Sequence, residues 1–194
     1  MDGPLAALLW LLLEGGLPVT VAGPAGSGPH ALLEALDDMR PAGKPLPRSR
    51  LPAVVEAESL AALLALLSGP PNQASDDELR NLGVVVVLGE ALGGSSRVVS
   101  AHYLRPVERD REGHLQRRPP AVLATWDQAA GRFDDFAWGI LPELAARIGM
   151  EPGAFADERS RRAAHLEGLV AAGVTGRTWG GPAGDRPGRT ISRS

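Results

Sequence analysis

The chain has 194 residues, 44% of them apolar, which suits one soluble domain with a sizeable core. Its net charge of −3 builds no global field toward nucleic acid or an anionic membrane. It holds no cysteine, which excludes disulfides and thiolate metal sites and gives no sign of an oxidising compartment.

The first element is an apolar run, Leu5 to Leu13, too short to span a bilayer. No basic stretch and no cleavage site accompany it in the positions a signal peptide needs. It predicts a buried amphipathic helix over 5–14, with Trp10 on its buried face and Gly15-Gly16 as the C-terminal stop. Pro18 to Ala22 is a short β-rich run that enters a glycine loop, and HALLEALDDM carries leucines at 32, 33 and 36 with helical spacing.

Residues 41–52 carry four prolines and read as a loop. That loop holds Lys44, the only lysine, so any lysine-dependent chemistry would have to come from there. Residues 53–56 predict a strand, and about 59–67 a helix with Ser59 as its N-cap. Ser75 is placed to cap a helical turn over 76–80. The run LGVVVVL, 82–88, is the pattern of a strand covered on both faces, as in a parallel sheet. Strands over 97–107 and 120–127 follow, and 128–138 turns back towards the body, so that 82–136 forms a β-meander. The charged stretch 108–114 reads as a turn. Trp126, Phe133, Phe136 and Trp138 are expected to pack the meander against helices. Helices over 141–148 and about 152–172 come next, the second stopped by Gly173. From Thr175 onward the composition is that of a disordered tail.

VTVAGPAGSGPH, 19–30, nearly matches a phosphate loop, G-x-x-x-x-G-K-[ST]. Gly23 and Gly28 satisfy it; Pro29 and His30 stand where the lysine and the hydroxyl belong. Such a loop aims successive backbone N–H groups into one concavity at a helix N-terminus. The lysine grips the β- and γ-phosphates and the hydroxyl holds Mg²⁺. Pro29 removes that charge and one N–H, although proline suits the first helical position. His30 cannot replace a hydroxyl on a cation that prefers oxygen. The loop shape can therefore persist with nucleotide affinity weak or absent.

The register around this loop, "LLWLLLEGGLPVTVAGPAGSG" then "ALLEAL", resembles the motor domain of the type II/type IV secretion ATPase family, which also drives type IV pili and the archaeal flagellum. Gly23, Gly26, Ser27 and Gly28 match its G-x-x-G-S-G-K-T; Pro29 and His30 do not. The second half, "LGVVVVLGEALGGSSRVVSAHYLRPV" and "AVLATWDQAAGRFDDF", resembles the strands beyond that family's histidine box. "LPELAARIGM" and "ERSRRAAHLEGLVAAGV" resemble its C-terminal helices, so the likeness spans about residues 5 to 175. The family's acidic and arginine segments, Walker B strand and histidine box have no room between the loop and Val84. VVEAESLAALLALLSGPP resembles the stretch just after the box, with the histidine replaced near Val55 or Glu56. A second alignment puts Walker B at VVVVLGE, making Glu90 the catalytic carboxylate. A histidine should then follow some two dozen residues later, and His102 and His114 are the candidates. Otherwise Glu90 is a hairpin-turn residue.

The resemblance implies an α/β fold, P-loop NTPase-like (RecA-like), with a short core, a C-terminal β-meander and helices. Residues 1–175 would form that domain and 176–194 the tail. The nucleotide-binding set would be Gly23, Gly26, Ser27, Gly28, Pro29 and His30, with ATP and Mg²⁺ bound if the site works. The function implied is a non-catalytic assembly or regulatory subunit; the alternative is an active motor ATPase. Its partners would be proteins of a membrane-associated motor or secretion assembly, or further copies of itself. It would be cytoplasmic, peripheral to the inner membrane through such a partner. The four histidines show no metal-ligand spacing. The arginines at 109–118, with Arg105, alternate with acids and suit a solvated turn or an acidic partner surface. They lack the interleaved aromatics of a nucleic-acid platform.

Overall fold

The computed structural model describes residues 1–40, 46, 47, 49–90, 94–110 and 112–174. A six-stranded mixed sheet forms its centre, in the order β2-β1-β3-β4-β7-β8. The strands are β1 (Val19–Gly23), β2 (Val54–Glu56), β3 (Val84–Glu90), β4 (Ser96–Tyr103), β7 (Ala121–Asp127) and β8 (Arg132–Asp135). β1 is parallel to β2 and to β3, and every later neighbour pair is antiparallel. The chain is thus α/β, with three parallel strands joined to a meander. Lys44, with the rest of 41–45 and residue 48 of its loop, and the proposed tail from Thr175 lie outside the described residues.

Strand β3 explains the two-sided sheet. Val84, Val86 and Leu88 point into one core, Val85 and Val87 into the other. The larger core lies under α1 (Gly3–Glu14), α2 (Pro29–Asp38), α5 (Leu141–Arg147) and α6 (Pro152–Ala171); the smaller lies under α3 (Leu60–Ser68) and α4 (Asp76–Arg80). The continuous apolar run needs exactly such cover, because alternate side chains leave opposite faces of the sheet.

Helix α1 is not amphipathic. Every residue from Leu5 to Leu13 is buried, since the sheet lies beneath it and α6 crosses its outer side. A helix apolar all round has no other stable place. The Asp2 carboxylate caps it, accepting the Leu5 N–H at 3.0 Å. It stops where the Leu17 N–H reaches the Leu12 carbonyl across a left-handed Gly16, a pairing that satisfies carbonyls at the helix end. Trp10 is buried as expected, with the Arg162 guanidinium 4.4 Å from its ring. Arg162 also pairs with Glu14 at 2.6 Å, which ties α6 to α1. Gly173 stops α6 in the left-handed region as the sequence predicts. Ser59 and Ser75 act as N-caps, and Glu78 completes a capping box with Ser75.

Two parts of the meander depart from expectation. Residues 128–138 do more than turn back: Asp127 takes the N–H groups of Ala129 and Ala130, and β8 then pairs with β7. The stretch 108–114 is part of a small ribbon, β5 (Glu108–Arg109) against β6 (Leu115–Gln116). The aromatic expectation divides as well. Trp126 and Phe133 meet edge to face at 5.1 Å, whereas Phe136 and Trp138 are 45% and 73% exposed and pack nothing tightly. Trp138 lies in a 3₁₀ turn, 137–140, whose only buried residue is Ala137, and Phe136 is the residue before it.

Candidate functional site at the carboxyl end of the parallel strands

The strand order β2-β1-β3 places a change of direction at β1, because the chain crosses from β1 to β2 on one side and then passes back to β3 on the other. In open α/β sheets ligands bind outside the carboxyl ends of strands at such a point. That end of β1 carries the glycine loop. Gly26 and Gly28 both lie at φ +79°, and Ser27 between them does not have a positive φ. The Ser27 N–H closes a turn on the Pro24 carbonyl at 3.0 Å. Alternating backbone hands of this kind turn successive N–H groups towards one side. Helix α2 starts directly afterwards, with Pro29 in its first turn. Its N-cap Gly28 offers no side chain, and no acidic residue lies in the first turn. The first-turn N–H groups thus gain no carboxylate or hydroxyl from their own sequence.

The individual residues are less suited to a triphosphate. The Ser27 hydroxyl is turned inward, sealed from solvent, without a protein partner among the described residues. A Cβ on Gly23 would come within 2.3 Å of that oxygen and 2.9 Å of Leu88 Cβ, so glycine at 23 is sterically required. Pro29 gives neither charge nor N–H, and His30 is exposed. This donor set does not fit Mg²⁺: the position that should give a hydroxyl oxygen carries an imidazole.

Glu90 is the last residue of β3 and pairs with Ser96 across the hairpin. Register puts Ala22 beside Val87, so the Glu90 backbone stands roughly 8 Å from that of Gly23 by strand spacing and rise. By alternation it shares the α2 face with Leu88. It is exposed. Neither candidate histidine reaches it. His102 pairs with Val85, five residues down the strand, and His114 is bonded to Asp110 in the β5–β6 ribbon.

Three groupings escaped the sequence. On β4, His102 Nε2 lies 2.9 Å from Ser100 Oγ, and burial holds the imidazole below its ordinary range. No carboxylate orients that ring among the described residues, so the pair is not a triad. In the ribbon, ligand atoms of Asp110, Glu112 and His114 lie within 4.8 Å of one another, despite spacing that suggested no metal set. The Asp110 carboxylate already accepts the N–H groups of His114 and Glu112 and contacts the His114 ring and Gln116. Those bonds hold its carboxyl below the usual range and account for it as a turn former. The third grouping surrounds Arg97, at the start of β4, whose guanidinium lies 3.9 Å from the Trp126 ring centroid.

Arg105, Arg117 and Arg118 are spent within the molecule rather than held for a partner. Arg105 Nε donates to both Glu143 oxygens at 3.0 and 3.1 Å. Arg118 pairs with Glu108 and Glu143, and Arg117 with Asp76 and Asp77. No helix among the described residues is long and apolar enough to cross a membrane. The chain matches no protein-family model and no curated protein.

Proposed function

We propose that this chain is a degenerate phosphate-loop domain of the type II/type IV secretion ATPase kind, serving as a non-catalytic assembly or regulatory subunit. The observation that carries the reading is the strand, glycine loop and helix at 19–38, with two left-handed glycines and with Pro29 and His30 in the functional positions. The backbone can present N–H groups to one phosphate, while the side chains that would grip a triphosphate and its metal have been replaced. The short parallel set is consistent with a core that has lost its catalytic middle. Its partners are proteins of a membrane-associated motor, or other copies of the chain, and its place is the cytoplasmic side of such an assembly.

The competing reading, an active ATPase with Glu90 as its acid, draws only on the position of that carboxylate one strand from the loop. Titration with a fluorescent ATP analogue and Mg²⁺, together with a phosphate-release assay, separates the two. Weak or absent binding with no turnover is expected. Micromolar saturable binding with turnover that falls in Glu90→Gln overturns the proposal. In the variant carrying Pro29→Lys and His30→Thr, nucleotide binding should appear; its continued absence would mean that the loop is no phosphate cradle.

A further inference from the structure

Beside the start of α1, at the same sheet end and on the same face as the glycine loop, lies a cavity of about 340 Å³. Asp2, Arg97, Trp126, Arg132 and Phe133 are among its walls. We propose that it is a binding site for a small phosphomonoester with an apolar or aromatic body, a site separate from the glycine loop.

Charge carries the argument furthest. Arg97 and Arg132 line this one cavity, and neither has an ion-pair partner among the described residues. The Arg97 Nε is sealed from solvent against its surroundings, so any contact with a ligand falls to the terminal nitrogens of the guanidinium. Of the nearby carboxylates, Asp127 holds its own turn, and Asp2, which caps α1, stands in the cavity wall itself, so the lining sets two guanidiniums against one carboxylate. That excess of guanidinium favours an anion, and a phosphomonoester carries nearly two charges at neutral pH where a carboxylate carries one. Guanidinium forks match phosphate oxygens in geometry as well.

The aromatic wall gives the second half of the specificity. Arg97 is laid on the Trp126 ring and Phe133 holds the edge of that ring, so the guanidinium is fixed in orientation before a ligand arrives. The cavity is at the small end of the range for ligand pockets and exceeds what a bare phosphate fills. β4 lies two strands from β1, about 10 Å by strand spacing, so this pocket does not coincide with the loop.

Calorimetric titration of the full chain with phenyl phosphate, inorganic phosphate and benzoate tests this. Saturable binding is expected in the order phenyl phosphate, then phosphate, then benzoate. Arg97→Gln should weaken phenyl phosphate at least tenfold, and Arg97→Lys, which keeps the charge but not the fork, should weaken it less. The double variant Arg97→Gln with Arg132→Gln should abolish binding while its far-ultraviolet circular dichroism and melting stay native-like. The variant with Pro29→Lys and His30→Thr, which adds charge to the loop, separates the two sites: the binding component that Arg97→Gln removes should be present in it undiminished. No saturable binding at millimolar probe, or binding that persists in the folded double variant, overturns the site. Binding strengthened by the loop pair and indifferent to the arginines assigns the anion to the glycine loop instead, which sinks this inference and leaves the loop reading standing.

Discussion

The two ends of the central sheet use arginine in opposite ways. At the amino end of β1 and β3, Arg105, Arg117 and Arg118 bind the ribbon, α4 and α5 together through Glu143, Glu108 and Asp77. Arg80 adds main-chain bonds to Arg118 and Arg105 carbonyls at 2.6 and 3.3 Å. At the carboxyl end, Arg97 rests on an aromatic ring and Arg132 lines a cavity, with no carboxylate taking either among the described residues. The first end spends charge on holding loops; the second leaves charge and backbone donors open. Ligand sites in open α/β sheets lie at that second end for the same reason: the loops there follow the strands and need not close the core.

The sharpest way to break this contrast is to damage the braced end. Glu143 and Arg105 are each less than one-fifth exposed as side chains, so Glu143→Gln leaves a half-buried guanidinium without its charge partner. A loss of about 3 kcal/mol is expected from urea unfolding; a loss under 0.5 kcal/mol would show the network to be ornamental. Next comes Gly23→Ala, whose new methyl meets the Ser27 hydroxyl and Leu88. It should cost about 2 kcal/mol, with Ser27→Gly in the same chain recovering part of it. Full stability in Gly23→Ala would mean that the serine does not fold inward.

Arg97→Gln supplies the counterpart at the open end. No ion pair is lost, so the unfolding free energy should change by less than about 1 kcal/mol, mainly the stacking on Trp126. A cost equal to that of Glu143→Gln would erase the distinction between the ends. The smallest expected effect is a pH slope. Burial holds His102 below its ordinary value, so the folded chain binds fewer protons than the unfolded chain between the two values. Its contribution is complete above about pH 6.5 and is lost as pH falls through the lowered folded value. Urea midpoints measured from pH 8 to 5 should therefore drop less in His102→Asn than in the parent. Equal slopes would place the ring in solvent.

Much of the local architecture was legible along the chain. Ser59, Ser75 and Gly173 announce helix ends because caps are local devices: one side chain or one glycine satisfies backbone groups three or four residues away. The valines of β3 announce a strand buried on both faces because nothing else tolerates such a run. The glycine loop was visible for the same local reason. Phe136 and Trp138 show the limit of that logic: their apolar character suggested packing, and the 3₁₀ turn that begins after Phe136 leaves Trp138 mostly outside and Phe136 nearly half exposed.

Sequence alone determined most of the elements, the two-sided β3 and the glycine loop, since each depends on contacts within a few positions. It also set the residues at 29 and 30, a proline and a histidine. Only the tertiary structure decided that α1 is enclosed all round, that β8 closes the meander, and that Arg97, Trp126 and Arg132 border one cavity. Those outcomes depend on strands being laid side by side, and strand pairing joins residues tens of positions apart whose spacing carries no local signature.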